Sequence, residues 1–459
     1  MDLKVLFGQV VDAIEDWKAS WGSYETHLAT RVDGKDLADA LGLYVERLGG
    51  NYPFFHPHYA GQMLKPPHPA AVVGYLAAQL INPNNHALDG GPPTGQMEKE
   101  VVRDLASMFH FPGDTLGHLT SGGTIANLEA LWIARELHPT KSVAFSHEAH
   151  YTHARMSRVL GLRTVSIASD HSGRLDLDAL EANLRKGTVG TVVATAGTTG
   201  VGAVDPIAEV LSLCRRYECR LHVDAAYGGF FTLLARSNSS PLNPDIKRHF
   251  RAIADADSVA VDPHKHGLQP YGCGAILFRD PSVGQYYHHD SPYTYFTSDE
   301  LHLGEISLEC SRAGASAGAL WFTLQLFPLN ADTGLGPIVA AGVRAARQWS
   351  ERIDAEDGLA LFLPPTLDIV TFYPVPTSNT VSQIDEASSA IFTRAMQEED
   401  PVFLSLYRVD KAALLARARD LVADRDQARI LRSVLMKPEH ETVVADLHER
   451  IVNLAQKYD

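Results

Sequence analysis

The sequence predicts an α/β protein, with a mostly parallel sheet covered by helices and a C-terminal α+β domain. Three observations lead there. From Lys141 onward, short apolar runs alternate with helical patterns, the rhythm of parallel strands joined by crossover helices. A chain of 459 residues is too long for one small core, so two or three lobes are expected. From Asp332 to the end the alternation stops, and helices mix with at least one strand, Thr366 to Tyr373.

Composition narrows the class. Hydrophobic residues make up 45% and charged residues 21%, ordinary values for a globular chain. A formal net charge of -15 argues against nucleic-acid or anionic-membrane partners. The four cysteines, Cys214, Cys219, Cys273 and Cys310, form no CxxC pair and read as reduced cytoplasmic thiols. Acids interrupt the apolar N-terminal run, so no signal peptide is expected there. No run of about 18 apolar residues predicts a membrane span.

In chain order, the first fifty residues read as helices, with Val5, Val10, Val11, Ile14 and Trp17 near helical spacing. Asn51 to Ala70 is a Pro/His/aromatic loop. Its His56, His58 and His68 are irregularly spaced and lack Cys or carboxylate companions, so no metal is expected. Helices follow at about Ala71 to Leu80 and from near Gln96. Ser121-Gly122-Gly123-Thr124 then leads directly into a helical pattern. That turn suits either a phosphate at a helix N-terminus or a simple cap by Thr124. SVAF, RTVSIAS, TVVATAGTT, Arg220 to Asp224 and Ser258 to Val261 read as strands. HEAHYTHARMSRVLGL, Leu177 to Leu184 and Pro206 to Tyr217 read as helices.

Ligands of such sheets gather at the carboxyl ends of the strands. Thr198-Thr199, Asp224 and Lys265 all fall there. Lys265 follows the strand-ending Asp262-Pro263 and lies between apolar runs. Burial lowers a lysine's hold on its proton, and a neutral amine attacks carbonyls. This points to a Schiff-base lysine for pyridoxal phosphate; a solvated surface lysine is the plain alternative. Asp224, at the end of an apolar strand, needs a partner to stay charged. A protonated pyridine nitrogen would serve, and its charge makes the ring an electron sink. A buried Asp–Lys pair is the competing reading. His147, His150 and His153 recur every three residues, which fits a metal face, a capped helix start or an imidazole stacked on an aromatic cofactor.

HVDAAYGG and DPHK, preceded in order by SGGTIAN, EAHYTH and AGTTGVGAVDPI, resemble the group II pyridoxal phosphate-dependent amino acid decarboxylases. These include the glutamate, aspartate, tyrosine and aromatic amino acid enzymes. The resemblance spans roughly Tyr52 to Trp321 and is thinner beyond. It implies fold type I, the aspartate aminotransferase-like transferase fold, and a homodimer. It also implies that Lys265 carries the cofactor, Asp224 pairs with its ring nitrogen and His150 stacks on the ring. Ala226 would lie under the other face and Thr199 near the ring substituents. Gly122, Gly123, Thr124 and His264 would hold the phosphate, with Asp262 nearby. His56 and Gln62 match the family's HP-x-x-x-x-Q segment, and Arg432 matches a substrate-carboxylate arginine. Asp262, where the family often has Asn, and His266, where a bulky apolar residue is common, depart from the pattern. Tyr293 or Tyr295, in the polar aromatic loop Tyr286 to Leu303, would donate a proton to Cα across the dimer.

The expected organisation is an N-terminal helical, dimer-interlocking segment (1–70), a cofactor-binding large domain (71–327) and a small domain (328–459). The expected reaction is α-decarboxylation of an aromatic or acidic L-amino acid. Other carbon–carbon lyase chemistry (sphingosine-phosphate-lyase-like), amine oxidation to an aldehyde, and a silent dimer of the same fold are the alternatives.

Overall fold

The computed structural model describes residues 2–288, 300–376, 378–418 and 420–456. Its centre is a seven-stranded sheet formed by β1 (Leu116–Thr120), β2 (Ser142–Ser146), β3 (Thr164–Ile167), β4 (Val189–Thr195), β5 (Arg220–Ala225), β6 (Ser258–Val261) and β7 (Gly274–Phe278). The spatial order is β1-β7-β6-β5-β4-β2-β3. Neighbours from β3 to β6 pair in parallel, whereas β7 runs antiparallel to both β6 and β1. Every residue of β4 is buried, the continuous apolar run required of a strand covered on both faces.

Register places the chemistry. Thr195 pairs with Asp224, and Asp224 with Ala260, so the carboxyl ends of β4, β5 and β6 lie side by side. The β6–β7 hairpin holds Asp262 to Cys273 between strands locked at Val261 and Ala275. The pairing Thr120 to Gly274 draws the Gly122-Gly123 turn against that hairpin. A Cβ at Gly274 would stand 2.6 Å from the Gly122 backbone, so only glycine allows this approach.

A second, antiparallel sheet builds the C-terminal domain from β8 (Leu359–Leu363), β9 (Ile369–Pro374), β10 (Ser405–Asp410) and β11 (Gln427–Val434), in the order β10-β11-β9-β8. The sequence marks one strand where four exist. Charged residues alternate through β10 and the start of β11 on their exposed side, which breaks up the apolar signal. The helix expected from near Gln96 begins at Pro92, because proline fits a first turn whose N–H groups are unpaired anyway.

An N-terminal strap belongs to this second domain in space. Phe403 N–H donates to His58 O, Ala60 N–H to Phe403 O (both 2.9 Å) and Val434 N–H to Ala60 O (2.7 Å). Ala60 is wholly buried with Trp349, Phe372 and Leu431. By contrast, the helices Leu3–Ala19 and Gly34–Leu48 bury no residue. Val10, Ile14 and Trp17 of the first line an apolar groove of about 730 Å³ with Val73, Ala77 and Phe322.

Candidate active site

A cleft of about 300 Å³ opens where β4, β5 and β6 end. Its lining includes Gly122, Gly123, Thr124, His150, Thr199, Asp224, Ala226, Asp262, His264 and Lys265. All ten residues expected around a cofactor therefore meet in one place, although they are scattered over more than a hundred residues of chain.

Asp224 closes β5 and is buried. His153 Nε2 meets its Oδ2 at 2.8 Å, and Ala226 N–H donates to its Oδ1 at 3.1 Å. Burial pushes this carboxyl up, but the hydrogen bond from His153, the nearby Lys265 and the Ala226 N–H outweigh it and hold the acid below the usual carboxylate range. The carboxylate thus stays ionised in a buried place. A direct Asp224–Lys265 ion pair, the competing reading of the sequence, does not form.

Lys265 instead has its own acid. Its Nζ lies 3.1 Å from Asp262 Oδ2, because the turn after β6 folds back on itself through Lys265 N–H to Asp262 O, 2.9 Å. Asp262 Oδ1 is buried with no hydrogen-bond partner among the described residues, and the carboxylate faces the lysine and Gly123, where a Cβ would stand 2.7 Å from Oδ2.

The cradle is built by backbone. Gly122 sits at φ +148°, which L side chains rarely adopt, and the helix Gly123–Leu137 starts immediately after it. First-turn N–H groups of a helix have no internal acceptors and favour an anion. Asn127 Nδ2 donates to Gly123 O at 2.8 Å, and His222 Nε2 meets Asn127 Oδ1 at 2.8 Å. Burial drives His222 down to about 3, so it acts as a neutral donor behind the cradle. Burial likewise lowers His150 and His264, leaving uncharged imidazoles at the cleft. His150 Nδ1 is fixed to Thr152 Oγ1 at 2.8 Å.

These residues fit pyridoxal phosphate. An amine stands beside the cleft for the aldehyde, and an ionised carboxylate is aimed in for the ring nitrogen. A glycine cradle at a helix N-terminus suits the phosphate. Thr195 Oγ1 in the lining is buried without a partner among the described residues.

His56 and Gln62 are exposed on the strap and do not line the cleft. Arg432 on β11 is buried. Its Nε donates to Gly200 O (2.9 Å), Nη2 to Thr199 O (2.7 Å), and Nη1 to Gly61 O (3.2 Å) and Ser405 Oγ (3.1 Å). One Nη2 proton is uncommitted among the described residues. Tyr293 and Tyr295 lie outside the described residues. Among those described, no group of three or more His, Cys, Asp or Glu is placed to hold a metal ion. No helix among the described residues is long and apolar enough to cross a membrane.

Sequence reasoning missed the parts of His153, Asn127 and Thr195. His153 carried a signal in its three-residue spacing from His150. His150 precedes the helix Thr152–Val159 and lines the cleft, whereas His153, inside that helix, turns inward to 0% exposure.

The fold matches that of Oryza sativa TDC with PLP and tryptamine at a TM-score of 0.79, covering 100% of this chain and 98% of that one at 19% identity. Fold and site together define a fold type I pyridoxal phosphate enzyme. Residues 54–374 match the pyridoxal-dependent decarboxylase conserved domain. The L-tyrosine decarboxylase of Enterococcus faecium is 29% identical over 459 residues, covering 76% of this chain and 74% of that protein. A probable L-tyrosine/L-aspartate decarboxylase of Methanothermobacter thermautotrophicus is 31% identical over 314 residues, covering 68% and 82%. The chain belongs to the pyridoxal-dependent decarboxylase family. It is a pyridoxal phosphate-dependent amino acid decarboxylase, a carboxy-lyase.

Proposed function

We propose that this enzyme removes the α-carboxylate of an aromatic or acidic L-amino acid, in a site completed across a homodimer in the cytoplasm. The observation that carries the reading is the cleft bracketed by Asp224 and Lys265. When bound, pyridoxal phosphate supplies the electron sink for the bond to be broken. The residues do the rest. Lys265 presents its amine from the hairpin, with Asp262 in position to take or return its proton. Asp224, held as an anion, favours a charged ring nitrogen. His150 covers one face of the cleft and Ala226 lines the other.

Substrate selection falls to groups outside the cleft lining. The spare Nη2–H of Arg432 suits a carboxylate, and His56 and Gln62 sit on the strap that Arg432 holds through Gly61 O. Tyr293 or Tyr295 is the proton donor to Cα. The names of the relatives above, tyrosine and aspartate, support the aromatic and acidic classes. Four free thiols accord with a reducing compartment, and the uncovered helices Leu3–Ala19 and Gly34–Leu48 accord with a second copy.

The test is to incubate the purified protein and pyridoxal phosphate with each of the twenty amino acids and read products by mass spectrometry. One amine from an aromatic or acidic substrate is expected. An amine only from an aliphatic or basic substrate sinks the assignment, and an aldehyde in its place favours the oxidative alternative.

A further inference from the structure

The structure assigns a second histidine to the cofactor machinery. We propose that His153 is a positioning residue: its Nε2–H fixes the Asp224 carboxylate, ionised and correctly oriented, for the ring nitrogen of bound pyridoxal phosphate. The inference rests on reading Asp224 as the ring-nitrogen partner.

The placement is specific. β2 and β5 are not neighbours, because β4 lies between them. The short helix Thr152–Val159 that follows β2 carries His153 over the end of β4 to reach Asp224, 71 positions further along the chain. The imidazole is 0% exposed and packs against Phe145 of β2, with ring centroids 5.8 Å apart. A buried imidazole is an expensive way to fill space that a phenyl ring could fill, so its polar contact calls for a reason.

Hydrogen-bond chemistry gives the direction. His153 Nδ1 is buried and has no hydrogen-bond partner among the described residues. A proton there would be a buried donor without an acceptor, and Nε2 would then turn a lone pair toward Oδ2 at 2.8 Å. With the proton on Nε2, the ring donates to the carboxylate. The Ala226 N–H donates to the other oxygen. Each carboxylate oxygen then has one donor from the protein and room for one more. An anion satisfied in this way does not need the proton of a pyridinium, so that proton stays on the ring nitrogen, where the electron sink requires it. His150, one turn earlier on the same segment, faces the cleft. One stretch of chain thus covers the cofactor's face and braces its ring-nitrogen partner.

The test compares wild type with H153F, H153Q and D224N. Phenylalanine fills the volume without a donor, and the Gln amide restores an N–H near the position of Nε2. In cofactor-free wild type, a downfield imidazole N–H proton should appear in the NMR spectrum and be absent from H153F and H153Q. It should shift in D224N. After loading with cofactor labelled with ¹⁵N in the ring, the wild-type nitrogen should resonate as protonated. H153F should move it toward the unprotonated position and H153Q should restore it. Groups that orient a ligating residue typically contribute 10–100-fold, so H153F should lose roughly that much in kcat with little change in KM.

Two results overturn the proposal. One is an H153F protein with the wild-type nitrogen shift and turnover within about twofold, while D224N loses both; Asp224 would keep its role without His153. The other is a cofactor-free wild type whose imidazole protons are indifferent to D224N. If D224N itself keeps a protonated ring nitrogen, the reading of Asp224 fails and takes the proposal with it.

Discussion

At the scale of single residues, the site is a set of acids each given its own cation or donor. Asp262 faces Lys265 and Asp224 faces His153. Lys265→Ala should abolish borohydride fixation of the cofactor, and the labelled wild-type peptide should be the one containing Lys265. Label on another lysine would refute the assignment. Asp368 is the acid with the poorest company. It is wholly buried, accepts from Tyr227 Oη at 2.6 Å, and lies 3.3 Å from His266 Nε2 without a bond between them. Burial raises it from 3.8 to about 6. Between those values the folded chain keeps a proton that the unfolded chain has released, so stability falls as pH rises and the full cost stands above about 6. Asp368→Asn keeps the acceptor for Tyr227 and removes the charge. Chemical denaturation should show it stabilised at pH 8, by roughly 1 kcal/mol more than at pH 5. Equal gains at both pH values would mean that Asp368 titrates normally. Lys265, Asp224 and His150 were legible in the sequence because each sits in a motif at a strand or helix end. The parts of His153 and Asp368 were not, since a buried polar residue's partner far along the chain leaves no mark beside it: the spacing of His153 showed a pattern but not its partner Asp224.

At the scale of elements, the parallel strands were legible because burial on both faces makes them continuously apolar. The small-domain sheet was not, because β10 and β11 mix charged and apolar residues. Arg432 shows what that sheet does for the site. From β11 it ties the loop after β4, through Thr199 O and Gly200 O, to the strap, through Gly61 O. Lysine offers no planar fork and cannot hold these carbonyls together. Arg432→Lys should cost on the order of 1–3 kcal/mol and raise amide exchange in residues 197–204. Unchanged exchange there would show that the loop is held by its own turn, in which Thr198 N–H donates to Ala203 O.

At the scale of the whole molecule, a mostly parallel sheet followed by a C-terminal α+β part follows the sequence reading, while the N-terminal helices bury no residue. Leu37, Leu41, Tyr44 and Val45 are each more than half exposed, and an amphipathic helix with its apolar side in water is poorly stable alone. Light scattering after chromatography should give twice the chain mass for the full protein, and a lower mass for a variant lacking residues 1–50. A full-length monomer would remove the need for a partner at these helices.

The strap carries a further consequence, for biosynthesis. His58 to Gly61 leave the ribosome early, yet Phe403 and Val434, to which they bond, are made more than three hundred residues later. The large sheet can assemble while the strap waits unpaired, so the C-terminal domain cannot close its core during its own synthesis without reaching back to the start of the chain. Strap docking therefore waits until Phe403 and Val434 have been made, and a nascent chain truncated before Phe403 should leave the strap open to protease while the sheet β1–β7 is already protected.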